Sequence, residues 1–338
     1  MTTRRKFIAA AAVLPFAAPA RAAADIVRIG AASTTSDAQI FIADRKGYFA
    51  DEGIAIEISN FASAANMVAP MAAGQLDVGA GSVSAGLYNA VARGIPIKVV
   101  ADKSSSPPGY GPTQILVRKD HVDSGRYKSP ADLKGFRFAM NGPGVSNTST
   151  LNTLLTSVGL KYSDVTTVNL SFPDHFVAYQ NKSVDAGASA EPIVTAALKA
   201  GYVALVKRDD EIDPYHQLAN ILYSQSFAEK RDLATRFMRA YLRAARFYNK
   251  GLAGGHYAGP NGGEIIKLLI EFTNIKDAAL LREITPNGCD PRGRVNVASL
   301  KKDYDFYASQ GLIEGKASVD DIVDMSFVDA AEKSLGPE

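Results

Sequence analysis

Tryptophan is absent from the 338 residues and cysteine occurs once, at Cys289. A single cysteine excludes an intrachain disulfide, and with it any disulfide framework. An excess of one charge sign is lacking too. Lys plus Arg is 37 against 35 for Asp plus Glu, a formal net charge of +2, so there is no basic surplus of the kind that neutralises nucleic-acid phosphates. Past the N-terminus no run approaches the 18 or so apolar residues of a membrane helix. The sequence holds no G-x-S-x-G, H-E-x-x-H, C-x-x-C or G-x-x-x-x-G-K-[ST]. Gly79-Ala80-Gly81 begins like a dinucleotide fingerprint, but Ser84 stands where the third glycine belongs; Gly142-Pro143-Gly144 has the same flaw at Asn147. His121, His175, His216 and His256 are far apart in sequence and read as structural or exposed, with Asp174 as a helix N-cap before His175. No cofactor, metal site or catalytic residue is expected.

What is present starts at the N-terminus. Arg4-Arg5-Lys6 precedes an apolar stretch from Phe7 to Ala18, and Ala20-Arg21-Ala22 follows. Basic start, short apolar middle and A-x-A end predict a secretory leader over residues 1–22, of twin-arginine type. Its removal takes away four basic residues and no acid, leaving a net charge of −2. The expected product is a soluble periplasmic monomer that binds no nucleic acid.

The remaining chain is long enough for two medium α/β units with buried cores. Ile26–Gly30, Ile54–Ile58, Leu76–Gly79 and Ile97–Val100 read as strands, separated by helical patterns near 40–43, 67–73 and 87–92. Such alternation predicts a parallel or mostly parallel sheet covered on both faces. Ser104 to Pro112, dense in Ser, Pro and Gly, reads as an irregular crossing between lobes. A second βα series follows from Ile115 to Val206, and the chain is expected to return near Tyr223 to Phe227. Amphipathic helices then run from Glu229 to the end. Among them Arg236, Arg239, Arg243 and Arg246 share a face that reads as solvated. The expected domains are a first lobe of residues 25–105 plus 224–338 and a second of 113–215, with ligand captured between them by hinge closure.

Three strand ends lead into helices through small hydroxylated residues: Ser33, Thr34 and Thr35; Ser82, Val83 and Ser84; Ser146, Asn147 and Thr148. Helix N-termini leave amides unpaired and carry partial positive charge. Three of them facing one gap form an uncharged nest able to hold an oxyanion without Lys or Arg. Simple capping is the competing reading for each loop. Loss of the Ser84 or Ser146 hydroxyl is expected to weaken binding. Phe61 and Phe172 end strands at similar positions; either can wall the pocket or pack in the core, and Phe61 is placed in the site. Glu191 before Pro192 begins a helix, where a first-turn carboxylate stabilises the helix dipole; if it faces the cleft it is the candidate partner for a ligand ammonium or N–H.

These segments resemble a known family. Asp44-Arg45-Lys46-Gly47-Tyr48-Phe49-Ala50-Asp51-Glu52-Gly53 is similar to the A-x-x-x-G-Y-F-x-x-E-G-L segment of nitrate/sulfonate/taurine-type (thiamine-precursor-like) periplasmic binding proteins. Ala73–Gly79 resembles their A-x-G-x-x-D-x-G turn, Ser129–Gly135 their P-x-D-L-K-G, and Ser183–Ala186 with Glu191-Pro192 their V-D-A…E-P. The resemblance reaches to about residue 200. It implies a type II two-lobe binding fold with C-terminal helices. It also implies a role in an ABC importer, in which a small anionic or polar organic solute (sulfonate, nitrate-like ion or aromatic acid) passes to a permease and ATPase. An enzyme related to thiamine-pyrimidine-precursor synthesis is the alternative on the same scaffold. The cysteine-rich motif of that branch is missing here.

Overall fold

The computed structural model describes residues 23–32, 34–273 and 275–336. The expected leader over 1–22 and the candidate Ser33 lie outside the described residues.

Among the described residues ten strands form two five-stranded sheets. They are β1 Asp25–Ala31, β2 Ile54–Asn60, β3 Val78–Gly81, β4 Ile97–Ser105, β5 Thr113–Arg118, β6 Arg137–Met140, β7 Thr166–Asn169, β8 Ala186–Ala190, β9 Val203–Arg208 and β10 Gln217–Ser224. The first sheet has the order β2-β1-β3-β10-β4, the second β7-β6-β8-β5-β9. Helices cover both, so central strands such as β3 and β5 are buried along their whole length. This is the expected two-lobe α/β architecture with C-terminal helices.

The sheets are not wholly parallel, and the exceptions have one cause. β10 runs antiparallel to β3 and β4, and β5 antiparallel to β8 and β9. Each is the strand with which the chain enters a sheet after crossing from the other lobe. A chain arriving from the neighbouring lobe meets the sheet at the carboxyl ends of its parallel strands and has to run back against them.

Two boundaries differ from the sequence reading. β4 continues to Ser105 through Asp102-Lys103-Ser104, because pairing with β10 satisfies its backbone and buries it, with register shifts along the pair. Tertiary pairing thus overrides the poor strand propensity of Ser. The return crossing lies between Arg208 and Gln217, not at Tyr223–Phe227. Those later residues complete β10, eight buried residues between β3 and β4 in the first sheet, and start the helix Gln225–Glu229.

The helix Arg231–Asn249 buries Phe237, Tyr241 and Tyr248 against the first sheet and its helices. Its arginines are not merely solvated. Arg236 pairs with Asp25 at 2.8 Å, Arg239 with Glu52 at 2.9 Å and Arg243 with Asp51 at 2.9 Å, while the Arg243 guanidinium lies over the Tyr48 ring. The stripe is a seam to the Gly47–Gly53 turn, built of half-exposed pairs worth up to about 1 kcal/mol each.

The return crossing carries a buried ion cluster. The His216 ring, fully buried, lies between Asp209 (3.3 Å), which opens the short helix Asp209–Ile212, and Asp303 (3.0 Å) on the C-terminal helix Val297–Ser309. Thr150 Oγ1 donates to Asp209 at 2.5 Å. Burial alone pulls the imidazole pKa down, but Asp303 and Asp209 outweigh it and hold the ring well above its ordinary value. His216 is therefore an imidazolium joining three elements across the crossing. Asp174, read as an N-cap, sits instead in the first turn of the helix Phe172–Gln180, whose N-cap is Ser171. His175 in that helix is buried beside Ser189, and desolvation brings its pKa down to about 4.

Candidate functional site

Strand direction fixes where a site forms. The carboxyl ends of β1, β3, β4, β6 and β8, and the starts of the two reversed strands β5 and β10, converge on one cleft between the sheets. A crevice outside strand ends is where open α/β sheets take ligands. Its cavity is about 70 Å³, several times the roughly 10–15 Å³ that one water needs, which suits a compact solute. Three direct bonds hold the lobes together around it. Ala85 N donates to Gly144 O (2.8 Å), Ser146 Oγ to Leu218 O (3.0 Å) and Thr285 N to Glu191 Oε1 (3.2 Å). Gly144 has φ +55°, and an added Cβ would come within 2.7 Å of the Ala85 Cβ. A side chain there would wedge the lobes apart.

Of the residues expected from sequence, Thr34, Thr35, Ser82, Ser146, Asn147 and Glu191 line this cleft. The amides of Thr35, Ser36, Ser146 and Asn147 donate to no partner among the described residues. They sit in the first turns leading into the helices Ala38–Arg45 and Ser146–Ser157, where unpaired N–H groups and the helix dipole favour negative charge.

Four expected residues do not reach the cleft. Ser84 is buried as the N-cap of the helix Ala85–Ala92, accepting from Leu87 N at 3.3 Å. The capping reading holds for it. Val83 packs in the apolar cluster around Met67 and Leu87. Thr148 Oγ1 turns back to donate to Val145 O at 2.6 Å. Phe61 follows β2, the edge strand of its sheet, and packs against the same Met67 cluster, whereas Phe172 walls the cleft. Ser84→Ala is therefore expected to cost about 1 kcal/mol of stability, as lost caps do, and to leave ligand affinity unchanged. Parallel urea titrations and calorimetry of this variant check both halves.

The cleft is also not an uncharged nest. Lys103, 1% exposed, lines it. Its Nζ pairs with Asp37 Oδ1 at 2.7 Å and donates to Ser36 Oγ at 2.9 Å, which leaves its third N–H without a described partner. Asp37 Oδ2 accepts the Thr34 amide at 3.0 Å and so shapes the loop. Sequence reading missed Lys103 because it ended β4 too early. The signal available was slight: an Asp102-Lys103 pair just after Val99-Val100-Ala101, in a strand that is buried along most of its length.

Glu191 is 2% exposed, and its carboxyl is already occupied. Oε2 accepts from Thr195 N (3.0 Å), and Oε1 from Thr195 Oγ1 (2.8 Å) and Thr285 N (3.2 Å). Desolvation raises its pKa to about 7 against those hydrogen bonds. Between about pH 4.5 and 7 the folded state keeps this proton while the unfolded chain has lost it, so its contribution to stability falls as pH rises. Wild type measured against Glu191→Gln is expected to lose up to about 3 kcal/mol of relative stability between pH 5 and 8. Urea midpoints of the two proteins at both pH values test this; a difference that stays flat contradicts a buried, reluctant carboxyl.

A family model described as NMT1/THI5 like matches residues 34–250, well over half of the chain. No curated protein sequence matches it. Among solved structures, the chain is similar to the alkanesulfonate-binding protein SsuA from Xanthomonas axonopodis pv. citri bound to MOPS. The two share 19% identity at a TM-score of 0.70, covering 90% of this chain and 99% of that one. It is also similar to the periplasmic aliphatic sulphonate binding protein SsuA from Escherichia coli, with 22% identity, a TM-score of 0.67 and coverage of 89% and 92%. The periplasmic nitrate-binding protein NrtA from Synechocystis PCC 6803 gives 16%, 0.75, 92% and 89%. At these identities the likeness is one of fold, and the fold is the periplasmic-binding-protein fold.

Proposed function

This chain belongs to the NMT1/THI5-like family, and from that membership we propose that it is the solute-binding component of an ABC importer. It works in the periplasm after twin-arginine-type export and passes a small anionic or polar organic solute to a permease and ATPase. One observation carries the reading: unpaired amides of two helix starts and the Lys103 ammonium, contributed by both sheets, face a single compact gap. Such an array of donors binds oxygen acceptors. The described neighbours that bind sulfonate and nitrate agree with a ligand bearing oxygen acceptors.

Closure of the lobes is the working step. A solute that bridges the two sets of amides stabilises the joined state, and the bonds Ala85–Gly144, Ser146–Leu218 and Glu191–Thr285 form with it. The test is a thermal-shift screen of the purified protein against sulfonates, aromatic carboxylates and pyrimidines. A true ligand at a hundredfold excess over Kd stabilises the fold by about 2.7 kcal/mol. Recovery of that ligand with unchanged mass supports capture; a changed mass replaces this reading by the enzyme on the same scaffold.

A further inference from the structure

We infer that Asn147 selects a solute carrying an N–H or O–H donor, so that the ligand is an amine-, amide- or aminoheterocycle-bearing molecule and not a bare oxoanion. This deepens the binding reading above and rests on it. Asn147 is 3% exposed and lines the cleft. Its Nδ2 donates to the carbonyl of Ala188 at 3.0 Å. That bond fixes the amide, because a flipped side chain would set oxygen against oxygen. The other end, Oδ1, is buried and has no partner among the described residues. A buried carbonyl without a donor is costly, and here the group that could supply one is whatever occupies the gap.

The neighbouring acceptor does not compete. Glu191 receives three protein donors, so the role of meeting a ligand N–H, expected for Glu191 from sequence, falls to Asn147. The cleft is therefore two-sided. The amides of Thr35, Ser36, Ser146 and Asn147 and the ammonium of Lys103 offer donors, while Asn147 Oδ1 asks for one. A planar or tetrahedral oxoanion satisfies the first set and brings a further oxygen to the second, where two acceptors repel. A solute with acceptor and donor on the same small frame satisfies both.

The experiment uses matched probes that differ in one amino group: 2-aminoethanesulfonate against ethanesulfonate, 4-aminobenzoate against benzoate, and 4-aminopyrimidine against pyrimidine. Calorimetry with the purified protein is expected to show at least tenfold tighter binding for the amino member of any pair that binds. Asn147→Leu, with Asn147→Ala as a second variant should the first fail to fold, is expected to shrink that preference to about twofold or less. Equal or tighter binding of the donor-free member overturns this inference and leaves the solute-binding reading standing. A preference that survives in a folded Asn147 variant also overturns it, since another group then makes the selection. Binding of none of the six probes counts against the solute-binding reading itself.

Discussion

His216→Leu is expected to destabilise the protein by about 3–5 kcal/mol, the range found when a buried ion pair loses one partner. Folded domains hold together by only about 5–15 kcal/mol, so this one change takes a large share. The reason lies in what remains. Asp209 is fully buried and Asp303 nearly so, and without the imidazolium each keeps its charge with no cation in contact. Acid distinguishes this cause from a simple packing loss. The bereft carboxylates acquire raised pKa values, so the folded variant binds protons that the unfolded chain has given up, and its stability recovers as pH falls. Wild type gains from His216 only until pH has fallen to the ordinary histidine value of about 6.5, below which the contribution of a raised pKa is complete, whereas the variant goes on gaining at lower pH. Adding Asp303→Asn to His216→Leu is expected to restore part of the loss, because it removes one stranded charge. Chemical denaturation of the two variants at pH 5 and pH 7.5 measures both effects. A double variant weaker than the single one sinks the ion-cluster account.

Lys103→Met carries the second large effect, on binding as well as stability. An unbranched apolar stem of similar length remains, but Asp37 is left as a buried carboxylate with only the Thr34 amide against its far oxygen. A cost of about 3–5 kcal/mol follows by the same rule. The ligand also loses a charge-assisted donor, worth about 1.5–3 kcal/mol or roughly 10–150-fold in Kd. The two consequences separate in a double variant. Lys103→Met with Asp37→Asn has no stranded charge, so its stability returns toward wild type, while the affinity stays low. Rescue of affinity along with stability would assign Lys103 to shaping the loop alone.

How far these features were legible in the sequence depends on whether the signal was local. The βα alternation, the crossing after β4 and the hydroxyl-rich strand ends are local patterns, and five residues from those strand ends meet in the cleft, with Glu191 as a sixth. Ser84, Val83 and Thr148 belong to the same patterns but point elsewhere. Which side of a helix start faces the gap is set by how the sheet packs, and spacing does not encode that. Lys103 and His216 were lost for a different reason. Neither lies in an element assigned from sequence, and each is ordered by a partner more than 60 residues away, Asp37 and Asp303 respectively. Phe61 and Phe172 occupy equivalent places in their lobes, and nothing in their neighbours tells which one will wall a pocket. The Asn147 amide could be nominated from sequence, but its unpaired oxygen emerges only once Ala188 has claimed the nitrogen.

The place of β10 between β3 and β4 has a consequence for synthesis. When the nascent chain has passed residue 208 but not yet reached 217, the second sheet has all five of its strands in hand, from residues 113 to 208. The first sheet at that moment is split. Val78–Gly81 and Ile97–Ser105 have no strand to join them, for both pair only through β10. The lobe begun first on the ribosome is thus the lobe finished last, and its two open edges must be kept from foreign strands until residue 224 has emerged.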